Sequence, residues 1–393
     1  MRVSWEIKKL GSVCENLDSQ RKPITQRNRI LGEIPYYGAT GIVDYVKDYL
    51  FDEKLVLLGE DGAKWSSGDE CAFMIEGKTW VNNHAHVLRP NRKLILDEWL
   101  IYNLNFQDLS PYITGMTVPK LNQGKMNEIR IPIPPLPEQK RIVAILDEAF
   151  AAIDKAKANI LKNLQNAKEL FESYLQGVFE NKGEDWEEKR LKEIASVFGG
   201  YSFKSKDFKS SGMYQVLRMG NIRPGIIRNE ESPVFIEKVD ESVLKRALLK
   251  KDDVVITQTG TKKKRDYGFT VIIDKDNYLV NQRIAAIRFP GNYLSKFFLY
   301  YSWTNYFKDQ YFANETGTVG QGNVGIGAVT DALVPFCSIE EQRRVVSDID
   351  TILFHTNKLE TIHQKKLDDL EELKKSILQK AFNGELTEKN ILV

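Results

Sequence analysis

Cysteine is scarce in this chain of 393 residues: Cys14, Cys71 and Cys337, each isolated. Three scattered thiols build no disulfide framework and no zinc ribbon, and they fit a reducing cytoplasm. No apolar run is long enough to span a bilayer, so no membrane role is expected. The opening MRVSWEIKKLGS lacks the apolar core of a signal peptide. Charge of one sign is missing too: 56 Lys and Arg stand against 54 Asp and Glu. That balance neither demands nor excludes nucleic acid, although residues 186–337 carry a surplus of cations that 1–137 do not. A P-loop, a nucleophile elbow, a paired-carboxylate nuclease signature and an Asn-Pro-Pro-aromatic tetrapeptide are all absent. Catalysis is therefore expected on another chain, and no cofactor or metal on this one.

What the sequence does contain is itself, twice. Residues Ile131–Phe179 return as Leu333–Phe382, and from Pro132/Pro335 to Phe179/Phe382 the offset is a constant 203. Trp5-Glu6-Ile7-Lys8-Lys9-Leu10 opens one half and Trp186-Glu187-Glu188-Lys189-Arg190-Leu191 the other. Leu55–Lys64 aligns with Asp253–Lys262 at 198, and Val81–Arg89 with Val280–Arg288 at 199. The drift places the length differences in loops. A period this long is not a solenoid; it is a duplicated half with a shared framework and diverged loops. Such a pair suits two binding modules of one fold and two specificities.

The periodicity sets five segments: 1–137 and 182–338 as mixed α/β modules, 138–181 and 339–383 as long helices, and 384–393 as a tail returning near the N-terminus. Strands are expected at Leu55–Leu58, Ala72–Ile75, His84–Leu88, Val254–Thr257, Thr270–Ile273 and Ile284–Phe289. Asp97–Leu104 reads as a helix with Asp97 as N-cap, and Tyr293–Trp303 as its counterpart. Pro132–Pro137 is stiff and extended, so a helix should start near Glu138. Ile142, Ile145, Ala149, Ala152, Ala156, Ile160, Leu164, Ala167, Phe171, Tyr174 and Val178 then form one apolar stripe. Val345, Ile349, Ile352, Thr356, Leu359, Ile362, Lys366, Leu370, Leu373, Ile377 and Ala381 form the second. Each helix would run about 60 Å, longer than a module of this size is wide. The expected fold is therefore two α/β (α+β) modules joined by an antiparallel coiled coil, with a pseudo-twofold axis.

Candidate contact residues follow the loops. Lys262, Lys263, Lys264 and Arg265 after a strand form a natural phosphate grip, with Gln258, Thr259 and Thr261 beside them to read base edges. Lys64 and Trp65 hold the aligned place in the first half, and Trp65 could wedge against a duplex. His84 and His86 alternate on one strand, and Arg283 stands in the column of His84. Without a third ligand near in sequence, polar contacts or a buried structural role suit the histidines better than zinc. Thr117 and Lys120 in one half, and Thr318, Gln321 and Asn323 in the other, occupy polar, glycine-bearing loops. Arg218 and Arg223 are weaker candidates. Gly320–Gly325 satisfies G-x-G-x-x-G literally but lacks the strand-to-helix context of a dinucleotide site.

Two modules, each with a W-E-x-K-x-L type opening and each followed by an I-P-x-P-P-L-x-E-Q-x-R-I-V type segment and a long helix, resemble the DNA-specificity subunit of type I restriction-modification systems. The second junction, Val334-Pro335-Phe336-Cys337-Ser338-Ile339-Glu340-Glu341-Gln342, has fewer prolines. The resemblance spans essentially the whole chain. It implies two target-recognition domains, each reading half of a bipartite sequence in double-stranded DNA, with the helices setting the spacer. It implies as partners two methyltransferase subunits, and restriction subunits that join to cleave, and no activity of the chain's own. A self-contained modifying enzyme and a coiled-coil DNA-binding scaffold remain the alternatives.

Overall fold

The computed structural model describes residues 5–228, 232–318 and 320–386. The expected tail beyond 386 lies outside them. The chain forms two compact units. One holds the chain up to Lys162 together with the chain from His363 onward; the other is Asn163–Ile362.

In the first unit the central sheet is antiparallel, in the order Cys14–Asn16, Ala85–Pro90, Leu55–Gly59, Ala72–Ile75. Every residue of Leu55–Gly59 is buried, as its unbroken apolar run requires. A second sheet orders Gly41–Val46, Leu31–Gly38, Lys78–Val81 and Phe51–Asp52. The second unit repeats the central sheet as Ser196–Gly199, Ile284–Arg288, Val254–Thr257, Thr270–Ile272. Its smaller sheet runs Phe235–Ile236, Tyr214–Leu217, Tyr278–Val280. The second sheet of each unit holds one parallel pair, Leu31–Gly38 with Lys78–Val81 and Tyr214–Leu217 with Tyr278–Val280.

The repeated motifs have local reasons. Each Trp-Glu opening leads a strand that pairs antiparallel with its own proline junction: Glu6–Lys9 with Arg130–Ile133, and Glu187–Arg190 with Leu333–Phe336. Each sheet has only two strands, so Pro132 and Pro335 sit at an edge and cost no ladder bond. Trp5 meets Trp99 edge-on with ring centroids 5.6 Å apart, and Trp186 meets Phe297 at 5.5 Å. The shared glutamine is a staple. Gln139, fully buried, accepts from the Leu96 amide and donates to the carbonyls of Leu94 and Pro134. Gln342, equally buried, accepts from Leu294 and donates to Asn292 and Cys337. Glutamine alone offers both an acceptor and two donors at that reach.

The long helices span Leu136–Glu180, 45 residues, and Ile339–Phe382, 44 residues, about 67 Å each at 1.5 Å per residue. The first starts two residues before Glu138 and takes in Pro137. A proline in the first turn is tolerated because that N–H has no helical partner anyway. The helices run antiparallel inside each unit. In the first, Phe150 meets Lys374 and Lys157 pairs with Glu371. In the second, Val178 and Val345 line one cavity, and Lys168 approaches Glu360.

Three expectations need correction. Asp97 is not a cap: it is the first helical residue, buried, and pairs with Arg92. The deepest side chains of the first helix are Ile142, Val143, Leu146, Phe150, Ile153, Leu175 and Phe179, which enter the α/β cores at its two ends. The expected stripe is buried less evenly than its spacing suggests. Ala152, Leu359, Ile362, Lys366 and Leu373 are exposed, because a pair of helices buries a narrower band than a pair inside a bundle. No described helix is long and apolar enough to cross a membrane.

Candidate nucleic-acid interface

The central sheet of each unit ends in the same hydrogen-bonded frame. In the first, the Glu60 amide donates to the His84 carbonyl and the Leu121 amide to the Glu60 carbonyl, both at 2.8 Å. Asp61 bridges Lys120, and Lys120 bridges Thr114. In the second, Gln258 donates to Arg283 at 2.9 Å and Val324 to Gln258 at 2.8 Å. Thr259 pairs with Asn323, and Asn323 bridges Thr316. The threonines repeat a further bond: Thr114 Oγ1 reaches the Lys120 carbonyl at 3.1 Å, Thr316 Oγ1 that of Asn323 at 3.0 Å. Strand register fixes the equivalence independently, because Leu58 faces His86 as Ile256 faces Ala285.

Both loops carry Thr-Gly for one reason. Gly115 has φ +87° and a Cβ there would lie 2.4 Å from the Val118 carbonyl oxygen. Gly317 has φ +116° and would meet Gln321 O at 2.1 Å. Only glycine permits the left-handed backbone and the close approach together.

On this frame the two units place different side chains. The first builds a charged cluster. His84 Nδ1 contacts the Asp61 carboxylate. Lys120 Nζ lies 2.9 Å from Glu60 Oε1 and 3.8 Å from Asp61 Oδ2. Arg21 bonds Glu60, the Ala85 carbonyl and Asp18. His86 is fully buried, with Nδ1 2.6 Å from Asp18 and Nε2 2.7 Å from the Leu121 carbonyl. Burial pushes the Asp18 carboxyl up, but hydrogen bonds from His86 and Asn16 outweigh it and hold the group below the usual range. Glu60 is likewise held low, burial being overcome by Lys120 and Arg21. The hydrogen bond to Glu60 raises Lys120. Donor atoms of Asp18, Glu60 and His86 lie within 4.8 Å of one another, but Arg21 and Lys120 already neutralise these carboxylates, which leaves little for a cation.

The second unit carries no acid at the same places, with Gln258, Thr259 and Asn323 neutral and Arg283 in the place of His84, and a run of cations beside them. Thr259 Oγ1 lies 2.8 Å from Asn323 Oδ1, and Arg283 Nη1 3.4 Å from Thr259 Oγ1. Arg283 is exposed with φ +65°, a strained backbone of the kind that clusters at functional sites. Lys263, Lys264 and Arg265 are exposed and Lys262 half-exposed. Their turn is pinned by Asp266, which accepts from the Thr261 amide at 2.6 Å, and Arg265 lies over the Phe312 ring.

The structure thus brings Lys120 and His84 together in one unit, and Gln258, Arg283 and Asn323 in the other. Lys64, Thr117, Thr318 and Gln321 are exposed on the adjoining loops. Burial corrects three expectations. Trp65 is 8 % exposed and its indole N–H donates to the Gly59 carbonyl, so it packs as core and is no wedge. His86 is interior structure. Gln258 is 9 % exposed and bonds the Val324 carbonyl, which makes it part of the frame. Arg218 bonds the Ser232 carbonyl through Nη2, and Arg223 the carbonyls of Gly220 and Ile222 through Nη1. Asp18, Arg21, Glu60 and Asp61 were not singled out from the sequence. The signal for two of them was there: Glu60/Gln258 and Asp61/Thr259 are adjacent columns where the aligned copies differ just after a shared strand.

The model of the type I restriction modification DNA specificity domain matches residues 2–166 and again 183–372. The chain belongs to that family. Among curated relatives, a putative type I restriction enzyme specificity subunit of Haemophilus influenzae is 28% identical, covering 91% of this chain and 89% of the relative. The MjaVIII specificity subunit of Methanocaldococcus jannaschii is 25% identical over 98% of this chain and 94% of its own length. A chain solved in work on complex assembly and conformational transition of the type I R-M system has a TM-score of 0.74 at 17% identity, covering 97% of this chain and 98% of that one. The HsdS subunit from Thermoanaerobacter tengcongensis scores 0.58 at 18% identity, with 98% of both covered. These structural neighbours share the fold.

Proposed function

We propose that this specificity subunit directs a type I restriction-modification complex to a bipartite sequence in double-stranded DNA, each unit reading one half. The observation that carries the reading is the repeated frame with exchanged side chains. A framework kept twice, with polarity changed at its loop-facing positions, is what two readers of different sequences require. The functional segments are 1–137 and 182–338 as target-recognition domains, and 138–181 and 339–383 as the helices that set the spacer. Lys64, His84, Thr117, Lys120, Lys262–Arg265, Arg283, Thr318, Gln321 and Asn323 supply the contacts. Two methyltransferase subunits dock along the long helices, where Leu161, Leu170, Phe354, Leu359, Ile362 and Leu373 leave apolar surface uncovered. Restriction subunits join that assembly in the cytoplasm, and this chain performs no chemistry itself. The test is a module exchange. With the chain assembled on its methyltransferase partner, replacing residues 186–337 by those of a relative should change one methylated half-site and leave the other. A change in both halves, or methyl transfer by the isolated chain, would overturn the proposal.

A further inference from the structure

The frame aligns three side chains in each unit: Asp61, His84 and Lys120 in the first, Thr259, Arg283 and Asn323 in the second. In both, the first member contacts the other two. What differs is hydrogen-bond polarity.

In the first triad His84 Nδ1 and the Lys120 ammonium are turned onto acids. His84 lies against Asp61, and Lys120 lies between Glu60 and Asp61. Asp61 keeps lone pairs to spare, since a carboxylate offers about four acceptor sites. An aspartate facing a duplex is repelled by phosphates and by the acceptor edges of guanine and of thymine O4. Cytosine N4 and adenine N6 present amino donors in the major groove that it can accept. In the second triad the reverse holds. Arg283 is exposed, its side-chain bond to Thr259 Oγ1 is long, and it retains most of its five donors. Thr259 donates to the Asn323 oxygen, so that amide still has its N–H₂ donors. A fork of donors matches the O6 and N7 acceptors of guanine.

Resting on the specificity reading above, we propose that these are equivalent base-reading triads of opposite polarity. The first selects a base with an exocyclic amino group, cytosine or adenine, through Asp61. The second selects guanine through Arg283. Asp61 thereby joins the contact set, and the two half-sites differ in chemistry at one corresponding position.

The experiment uses the full chain assembled with its methyltransferase partner and a randomised DNA pool, with the bound fraction sequenced. Wild type should return a bipartite motif; its absence would defeat the specificity reading itself and is distinguishable from failure of the triads. D61N, close in size, should relax one position of one half-site by roughly tenfold and leave the other half intact. R283A should do the same to a guanine in the other half. The triple exchange D61T/H84R/K120N should turn the first position from an amino-bearing base toward guanine. An unchanged motif in D61N and R283A overturns the inference. So does even relaxation across a whole half-site, which would make Asp61 a positioning residue. Thermal unfolding of each variant separates lost reading from lost fold.

Discussion

The two units solve one structural problem and two chemical ones. Both hold their loops by the same backbone bonds, Leu121 to Glu60 and Val324 to Gln258, and by the same Thr-Gly turn. The first then fills the frame with ion pairs, the second with neutral amides and hydroxyls beside a run of cations. The difference teaches where variation is tolerated. Main-chain bonds and a glycine with positive φ carry the geometry, so side chains at 60, 61, 84 and 120 are free to change polarity. Charge is divided accordingly. The first frame balances its charges internally, whereas unit two leaves Lys263, Lys264 and Arg265 exposed.

The largest effect should fall on what the units share. Gln139→Ala and Gln342→Ala each leave three main-chain groups without their partner, one in a buried bond and two in half-buried ones, at up to about 1–3 kcal/mol apiece. Each variant should lose about 3 kcal/mol or more of stability in chemical denaturation. A large loss in one unit and none in the other would break the symmetry claimed for the staple. Next comes the charge asymmetry. Replacing Lys262, Lys263 and Lys264 by alanine should lower the salt slope of DNA binding by up to about 2.7, against about 0.9 for Lys64→Ala. Affinity at about 0.1 M salt should then fall roughly a hundredfold or more for the triple change, equally on all sequences. Equal slopes for both variants would show that phosphate contact is shared evenly.

The turn glycines come third. Gly115→Ala and Gly317→Ala should each cost about 1–3 kcal/mol and loosen the half-site of their own unit alone, read from sequenced bound DNA. The smallest effect separates the cores of the frames. Asp18 and Glu60 have folded pKa values below their unfolded ones. Their stabilisation is complete above the unfolded value of about 4 and is lost as pH falls through the folded values. Gln258, in the column of Glu60, does not titrate. Amide exchange, corrected for intrinsic rates, should show Leu121 losing protection below about pH 4 while Val324 keeps its own. Parallel loss at both amides would deny the acid cluster this role.

Much was legible in the residues. The duplication, the central strands and both long helices follow from periodicity and a constant offset, because period and register are local properties of the chain. The Glu-Gln of each junction stood out by repetition. Its reason did not: Gln139 bonds Leu94 and Leu96, more than forty positions back along the chain. The site was half legible. Exposed cations and loop glycines show themselves in sequence. Trp65 and His86 misled, since a tryptophan or histidine beside a loop is written the same way whether it faces solvent or core. Asp61 was overlooked because acids near a DNA surface look unpromising until their partners are seen.

The sequence by itself determined that this protein is one half made twice, with apolar stripes long enough for two helices and with loops where the copies disagree. Tertiary structure alone decided which of those disagreements face outward. It joined Asp18, Arg21, Glu60, His86 and Lys120, drawn from four separate stretches, into one cluster. The physical reason is that hydrophobic pattern is written in neighbouring residues. Hydrogen-bond partnership between distant loops exists only once the sheet has fixed their ends a few ångströms apart.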